Sequence, residues 1–313
     1  MNDGKTCPDG RTPLMPGTKM NINGLEYVIQ YMISFGGSCI AYSANRVLTN
    51  YEATIGIKTR LAIIKEFYPR KLSNIISRDG DSLYVTPNNQ AAFDELKRYF
   101  EHGIASQVAY YGEDSNKALP PAQGGMTNNT IYSIVDLTQG DLLENYPAQL
   151  SMYDISEILI SLCNAMKNIH NNGKLYLDLK PSNIFLFTKD RSESRRIALF
   201  DFDTLLSIND IATAAIPFSK GWSPYEQEHG QRSEITFASD IYAIGAIFYW
   251  LISGKEVTNE ILDCIEWGNF LFLNECGVLR NWKNARITSE RILSKTLKRD
   301  SKERVQNVEV LLG

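Results

Sequence analysis

Tyr176-Leu177-Asp178-Leu179-Lys180-Pro181-Ser182-Asn183, followed at once by Ile184-Phe185-Leu186-Phe187, is the stretch on which the reading of this chain turns. It sets a carboxylate, an ammonium and an amide at positions i, i+2 and i+5, with a proline fixing the backbone between them. The apolar run that follows predicts a short buried strand. Read by itself, the polar part is also an ordinary surface turn, with Asn183 as a cap and Pro181 setting φ. The neighbouring segments decide between these readings.

Immediately upstream, Ile155, Ile158, Leu159, Leu162, Ala165, Met166 and Ile169 fall in helical register. This predicts a helix from Ile155 to His170, with Ser151 and Asp154 as candidate caps and Asn171-Asn172-Gly173 as its stop. Further back, Tyr27 to Phe35, Ile40 to Val47, Arg60 to Phe67 and Thr130 to Leu137 read as strands of a small antiparallel sheet. Between them, Phe93, Leu96, Phe100, Ile104 and Val108 keep a 3.6-residue spacing, which predicts a helix packed on that sheet. Pro69 is followed by a polar stretch, and the segment Ala118 to Asn129 reads as a surface loop. Residues 1–20, rich in Gly, Pro, Asp and Thr, read as an irregular lead-in that contributes little core and on which catalysis should not depend.

Downstream, Ala198-Leu199-Phe200-Asp201-Phe202-Asp203 is an apolar strand ending in Asp. Ser239 or Asp240 opens an apolar helix that runs through Ile252 and stops at Gly254. The rest is expected to be helical, with Val305 to Leu312 read as a helix cut near its end, which suggests a fragment of a longer protein. The order, a sheet and one helix followed by helices, gives an α+β class. The expected division is lead-in 1–20, first lobe 21–137 and second lobe 138–313.

Composition narrows the function. With 36 acidic against 32 basic residues in 313, the formal charge is −4 and no Lys/Arg stripe suits nucleic acid. The five cysteines are odd in number and include no C-x-x-C pair, so neither a disulfide framework nor a zinc site is expected, and the compartment reads as reducing and cytoplasmic. No apolar run in the chain is long enough to span a bilayer.

The Asp178 stretch resembles the H-R-D-x-K-P-x-N catalytic loop of protein kinases, and five further segments follow the order of that family's motifs. Ala198 to Asp203 looks like the strand before D-F-G. Arg60 to Glu66 is similar to the third-strand V-A-I-K. Phe35-Gly36-Gly37-Ser38-Cys39 resembles the glycine-rich cover over the phosphates. Ser219 to Glu226 stands where the family has G-T-x-x-Y-x-A-P-E, and Asp240 where it has a helix-start Asp that braces the catalytic loop. The likeness is to the Ser/Thr-specific version, and is nearest to bacterial kinases in which the third strand runs on as Lys-Glu-x-x-Pro, here Lys65 to Pro69.

The resemblance implies a bilobal kinase fold that uses ATP and Mg²⁺ on a protein substrate. It makes Asp178 the base, Lys180 the cation that neutralises the γ-phosphate, and Lys65 the contact to the α- and β-phosphates. Gly36, Gly37, Asp136 and Thr138 are implied in nucleotide binding, and Asn183 and Asp201 in holding the metal. It also pairs Glu226 with Arg304. His170 is read as structural, and Thr204, Ser207 and Thr213 fall in the expected activation segment.

The sequence also departs from the family. Ser34 and Cys39 replace two loop glycines, Tyr176-Leu177 replaces His-Arg, D-F-G ends in Asp203, and Ile63 replaces the small residue over adenine. Loss of the Arg at 177 removes the usual reader of activation-loop phosphate. The helix Glu that should pair with Lys65 falls at Gly103, with Glu101 as the nearest substitute. These departures leave a second reading open, a pseudokinase acting as a nucleotide-responsive binding module. A small-molecule phosphotransferase fits less well, because such enzymes usually lack the counterparts of Lys180 and Glu226.

Overall fold

The computed structural model describes residues 7–56, 60–113, 122–137, 140–146, 150–187, 196–200, 205–280 and 284–312. The chain divides into two compact units: one comprises Met1–Ala109 with Pro120–Gln139, the other Tyr110–Leu119 with Gly140–Gly313. The first is built on a sheet and the second on helices, the α+β arrangement that the order of segments implies.

In the first unit, β1 (Lys19–Ile22), β2 (Leu25–Phe35), β3 (Cys39–Arg46) and β4 (Leu61–Phe67) join β7 (Gln123–Thr127) and β8 (Thr130–Leu137) in one antiparallel sheet, ordered β1-β2-β3-β4-β8-β7. Alternation along β4 puts Ala62, Ile64 and Glu66 on one face and Ile63, Lys65 and Phe67 on the other. Phe67 meets Phe93 and Phe100 of the long helix Gln90–Glu113 at ring-centroid distances of 5.1 and 5.5 Å. Leu96 and Ile104 pack on the same core, but Val108 does not and is 47% exposed. Gln107 is buried instead, because a stripe stepping by 3.6 residues from Phe93 reaches 107 more nearly than 108.

Two readings are corrected, and the polar stretch after Pro69, left unassigned by its sequence, gains a structure. The lead-in belongs to the core: Cys7, Arg11, Leu14 and Met20 are all buried against the sheet. The polar stretch after Pro69 holds a hairpin, β5 (Ile76–Asp79) with β6 (Ser82–Val85). Gln123–Thr127 is a strand, paired to β8 through a two-residue turn in which Asn128 and Asn129 both take positive φ, 51° and 59°. Asparagine tolerates that left-handed turn, so two Asn at a hairpin read locally as loop.

The second unit centres on helices Met152–Asn171, Phe237–Ser253 and Ala285–Thr296, whose apolar faces share one core. The first carries a complete Ser151–Asp154 capping box. The second is capped by Thr236, with Ser239 in its first turn, so it opens earlier than Ser239 or Asp240, and it ends on left-handed Gly254. At Gly245 a side chain would meet Thr296 Oγ1 at 2.2 Å, so only glycine lets these two helices come so close. Beyond Thr296 the backbone makes short 3₁₀ turns, Ser301–Glu303 and Val308–Leu311, where a continuing helix had been expected. Small antiparallel pairings, β11 (Ile184–Phe187) with β9 (Gly140–Leu142) and β12 (Ile197–Leu199), and β10 (Lys174–Leu175) with β13 (Leu206–Ser207), frame the segment 176–183. Among the described residues no helix is long and apolar enough to cross a membrane.

Candidate active site

The 176–183 segment is held from below by one fully buried carboxylate. Asp240 Oδ2 accepts from the Tyr176 N–H at 2.9 Å and Oδ1 from the Leu177 N–H at 2.7 Å, while His170 Nε2 lies 2.9 Å from Oδ2. Asp240 is therefore a brace and not a cap, and His170 is structural. The Tyr176 hydroxyl donates to the Phe200 carbonyl, which ties this segment to the residue before Asp201.

That bracing holds Leu177 at φ +61°, a left-handed conformation uncommon for a branched residue. Its carbonyl accepts from Gln227 Nε2 at 2.8 Å, and the same amide donates to the Pro217 carbonyl at 2.9 Å. Its side chain is buried with Leu175, Ile211 and Ile235, against Leu206, Ile208, Ile216 and Phe237. Where the family's Arg would read a phosphate, this chain packs leucine onto the 206–216 segment. Arg232 Nη1 anchors that segment further through the carbonyls of Ile211 and Ala214.

Asp178, Lys180 and Asn183 come together. Lys180 Nζ lies 2.9 and 3.0 Å from the two Asp178 oxygens, and Asn183 Nδ2 donates to Asp178 Oδ2 at 3.1 Å and to its carbonyl at 2.8 Å. Ser219 completes the group: its hydroxyl donates to Asp178 Oδ1 at 2.6 Å and accepts from Lys180 at 3.0 Å. A carboxylate with this many donors is fixed in place. Asn183 commits its amide N–H groups to Asp178, and among the described residues its amide oxygen takes no protein donor.

Glu226 and Arg304 form the expected pair, bidentate at 2.6 and 3.0 Å and almost wholly buried; the Ser239 hydroxyl also donates to Glu226. The pair anchors Tyr225–Glu228, the short helix that presents Gln227.

In the first unit, the Gly36-Gly37-Ser38 turn joins β2 to β3, and Lys65 lies on β4 opposite Ala41. Glu66, next to Lys65, faces the core with no exposure; it accepts from the hydroxyls of Tyr42 at 2.9 Å and Tyr132 at 3.0 Å and from Arg78 at 2.5 Å. Burial, reinforced by the Glu66 charge, pushes both phenols above their ordinary pKa, so they remain donors.

Asp136 is on β8, and its carboxylate lies 3.2 Å from Arg46 Nε; burial raises its pKa against the opposing pull of Arg46. Arg46 in turn binds Glu52. Thr138 and Asp201, both expected at the nucleotide site, lie outside the described residues, as do Phe202 and Asp203.

Sequence reasoning did not single out Ser219 or Gln227 as site residues. Ser219 had a signal, since it occupies the Thr position of the matched segment. Gln227 had none, because a polar residue one place past Glu226 on a short helix is unremarkable before its carbonyl partners are known.

Comparison with known proteins agrees with this geometry. A family profile described as the protein kinase domain matches residues 122–312. The chain is similar to calcium/calmodulin-dependent protein kinase type I of Schizosaccharomyces pombe, 27% identical over 194 residues, covering 59% of this chain and 56% of that protein. It is similar to ribosomal protein S6 kinase 2 alpha of Xenopus laevis, 25% identical over 197 residues, covering 58% of this chain and 26% of the relative. A bacterial relative, the probable serine/threonine-protein kinase PknB of Bifidobacterium longum, is 24% identical over 149 residues, covering 45% of this chain and 21% of its own length. The chain thus spans between a fifth and just over half of these curated relatives. With a profile covering most of its residues and the Asp178, Asp240 and Glu226 interactions assembled as the motifs require, the chain belongs to the protein kinase domain family.

Proposed function

We propose that this protein transfers the γ-phosphoryl of ATP, with Mg²⁺, to Ser or Thr hydroxyls of a protein substrate, with Asp178 as the base. The observation that carries the reading is the Ser219 hydroxyl donating at 2.6 Å to an Asp178 fixed by Lys180 and Asn183. A hydroxyl of the same kind as the acceptor's approaches the carboxylate at bonding distance, the geometry a general base needs. In the reaction the acceptor oxygen bonds to the γ-phosphorus, the bond from that phosphorus to the β,γ-bridging oxygen breaks, and the acceptor proton goes to Asp178. Lys180 spreads positive charge over the transferred group, and Lys65 with the Gly36-Gly37 turn holds the remaining phosphates.

Asp136, near the end of β8, and Thr138, which follows that strand in the sequence, are assigned to the nucleotide. The amide oxygen of Asn183, which takes no donor among the described residues, is a hard ligand that fits Mg²⁺, and Asp201 is assigned as its carboxylate partner. When bound, the ion supplies charge neutralisation on the phosphates. A lobe division near residue 138, with residues 1–20 joined to the first lobe, a cytoplasmic site for a chain whose five cysteines are free, and kinship with bacterial kinases through Lys65 to Pro69 belong to the same reading.

The test is incubation with labelled ATP, Mg²⁺ and generic protein acceptors, followed by phosphoamino-acid analysis. Label on Ser and Thr is expected. Nucleotide binding without transfer would instead assign a pseudokinase.

A further inference from the structure

The segment 7–14 stands outside every motif of the site, yet it holds a fully buried cation. Arg11 has no exposure. Asp9 braces it in a bidentate pair, Nη2 to Oδ2 at 2.8 Å and Nε to Oδ1 at 3.1 Å. The rest of the guanidinium is spent on backbone carbonyls: Nη2 donates to Gly36 at 2.7 Å, and Nη1 to Tyr68 and, at 3.4 Å, to Cys39. These acceptors lie on both sides of the glycine turn and on the strand exit beyond Lys65.

The turn is tied down from a second side. The Gly37 carbonyl accepts from the Arg70 N–H at 2.8 Å and the Ser38 carbonyl from the Tyr68 N–H at 3.0 Å. All three carbonyls of Gly36-Gly37-Ser38 are therefore engaged, while the N–H groups of Gly37 and Ser38 have no acceptor among the described residues. A turn with its carbonyls fixed and two amides without an acceptor among the described residues is a preformed anion cradle. A guanidinium is suited to holding it, because its planar fork serves several acceptors at once.

We propose that Arg11, braced by Asp9, is a positioning residue that sets the glycine turn for the phosphates of ATP, so that the N-terminal segment is a working part of the nucleotide site. This rests on the reading of the turn as a phosphate cover. Gly36 and Gly37 are the conformationally freest residues of the turn, and the clamp orders them before phosphate arrives. Glycine-rich turns otherwise lose conformational freedom on ordering.

The experiment compares ATP with adenosine, which lacks phosphates, as ligands of wild type, Arg11→Gln and Arg11→Lys by titration calorimetry, alongside amide exchange at Tyr68 and Arg70. In Arg11→Gln, ATP affinity is expected to fall by about tenfold, the scale of a lost charged hydrogen bond, with adenosine affinity within twofold of wild type. Arg11→Lys, which keeps the charge but serves fewer carbonyls, should fall between. Equal loss for ATP and adenosine, or no loss for either, would overturn the clamp. If wild type binds ATP no more tightly than adenosine, the phosphate-cover reading fails; faster exchange at Tyr68 and Arg70 in Arg11→Lys would then still uphold the clamp on the turn, and unchanged exchange would refute it. Should Arg11→Gln fail to fold, Arg11→Lys and Asp9→Asn carry the same comparison.

Discussion

Leu177 offers a sharp test of how the catalytic loop is built, because two effects of known size oppose each other there. The residue is held at φ +61° by hydrogen bonds from its N–H to Asp240 and from Gln227 to its carbonyl, and its side chain is 3% exposed in an apolar cluster with Ile211 and Ile235. Leu177→Ala keeps the left-handed backbone and empties the cluster, at a cost of about 2–5 kcal/mol. Leu177→Gly empties it too, but relieves about 1–2 kcal/mol of left-handed strain. Elsewhere glycine is worse than alanine by roughly 0.5–1 kcal/mol. The difference of these terms makes the Gly variant the more stable of the two by up to about 1.5 kcal/mol, the reverse of the usual order. Urea unfolding followed by tryptophan fluorescence, with Trp222 and Trp250 as reporters in the same unit, measures the gap. An Ala variant more stable than the Gly variant by 0.5 kcal/mol or more would show that no strain resides at Leu177 and that the Asp240 and Gln227 bonds do not fix the loop as described.

Further outcomes follow from the other contacts. Glu226→Ala leaves Arg304 buried with only carbonyl acceptors, those of Lys298, Ala238 and Arg299, and should cost about 3–5 kcal/mol in denaturant unfolding. Ser219→Ala removes the hydroxyl between Asp178 and Lys180 and should lower kcat by about tenfold with KM for ATP unchanged, whereas Ser219→Thr should stay within about threefold. The Arg11 hydrogen bonds hold the Asp9 carboxyl below its usual pKa. A carboxylate with a depressed folded pKa stabilises above the unfolded value and loses that contribution as pH falls toward the folded one. Exchange protection at Tyr68 and Arg70 should thus persist at pH 5 and decline below about pH 4.

Much of the second unit could be read directly from the chain. The capping box at Ser151, the apolar stripe to Ile169 and the left-handed stop at Gly254 are local signals with local causes, and Asp178, Lys180 and Asn183 meet because only a tight turn separates them. What stayed hidden depends on partners distant in sequence. Arg11 is an unremarkable charge in a Gly/Pro-rich segment until the carbonyls of Gly36 and Tyr68 surround it, and Gln227 gains meaning only from Leu177 and Pro217. Asn128-Asn129 gave a true turn signal, but the strand before it, Gln123–Thr127, holds two glycines and little apolar content. Only its pairing with β8 makes it a strand.

The central claim is that Asp178 is the base of a phosphoryl transfer. The most direct measurement is steady-state turnover and ATP affinity of Asp178→Asn beside wild type, with Mg²⁺ and a protein acceptor. The amide keeps the shape of the side chain and can still accept from Lys180, but cannot take the proton. Turnover should fall by about 10²-fold or more, with ATP affinity within twofold. Turnover within twofold of wild type would contradict the assignment.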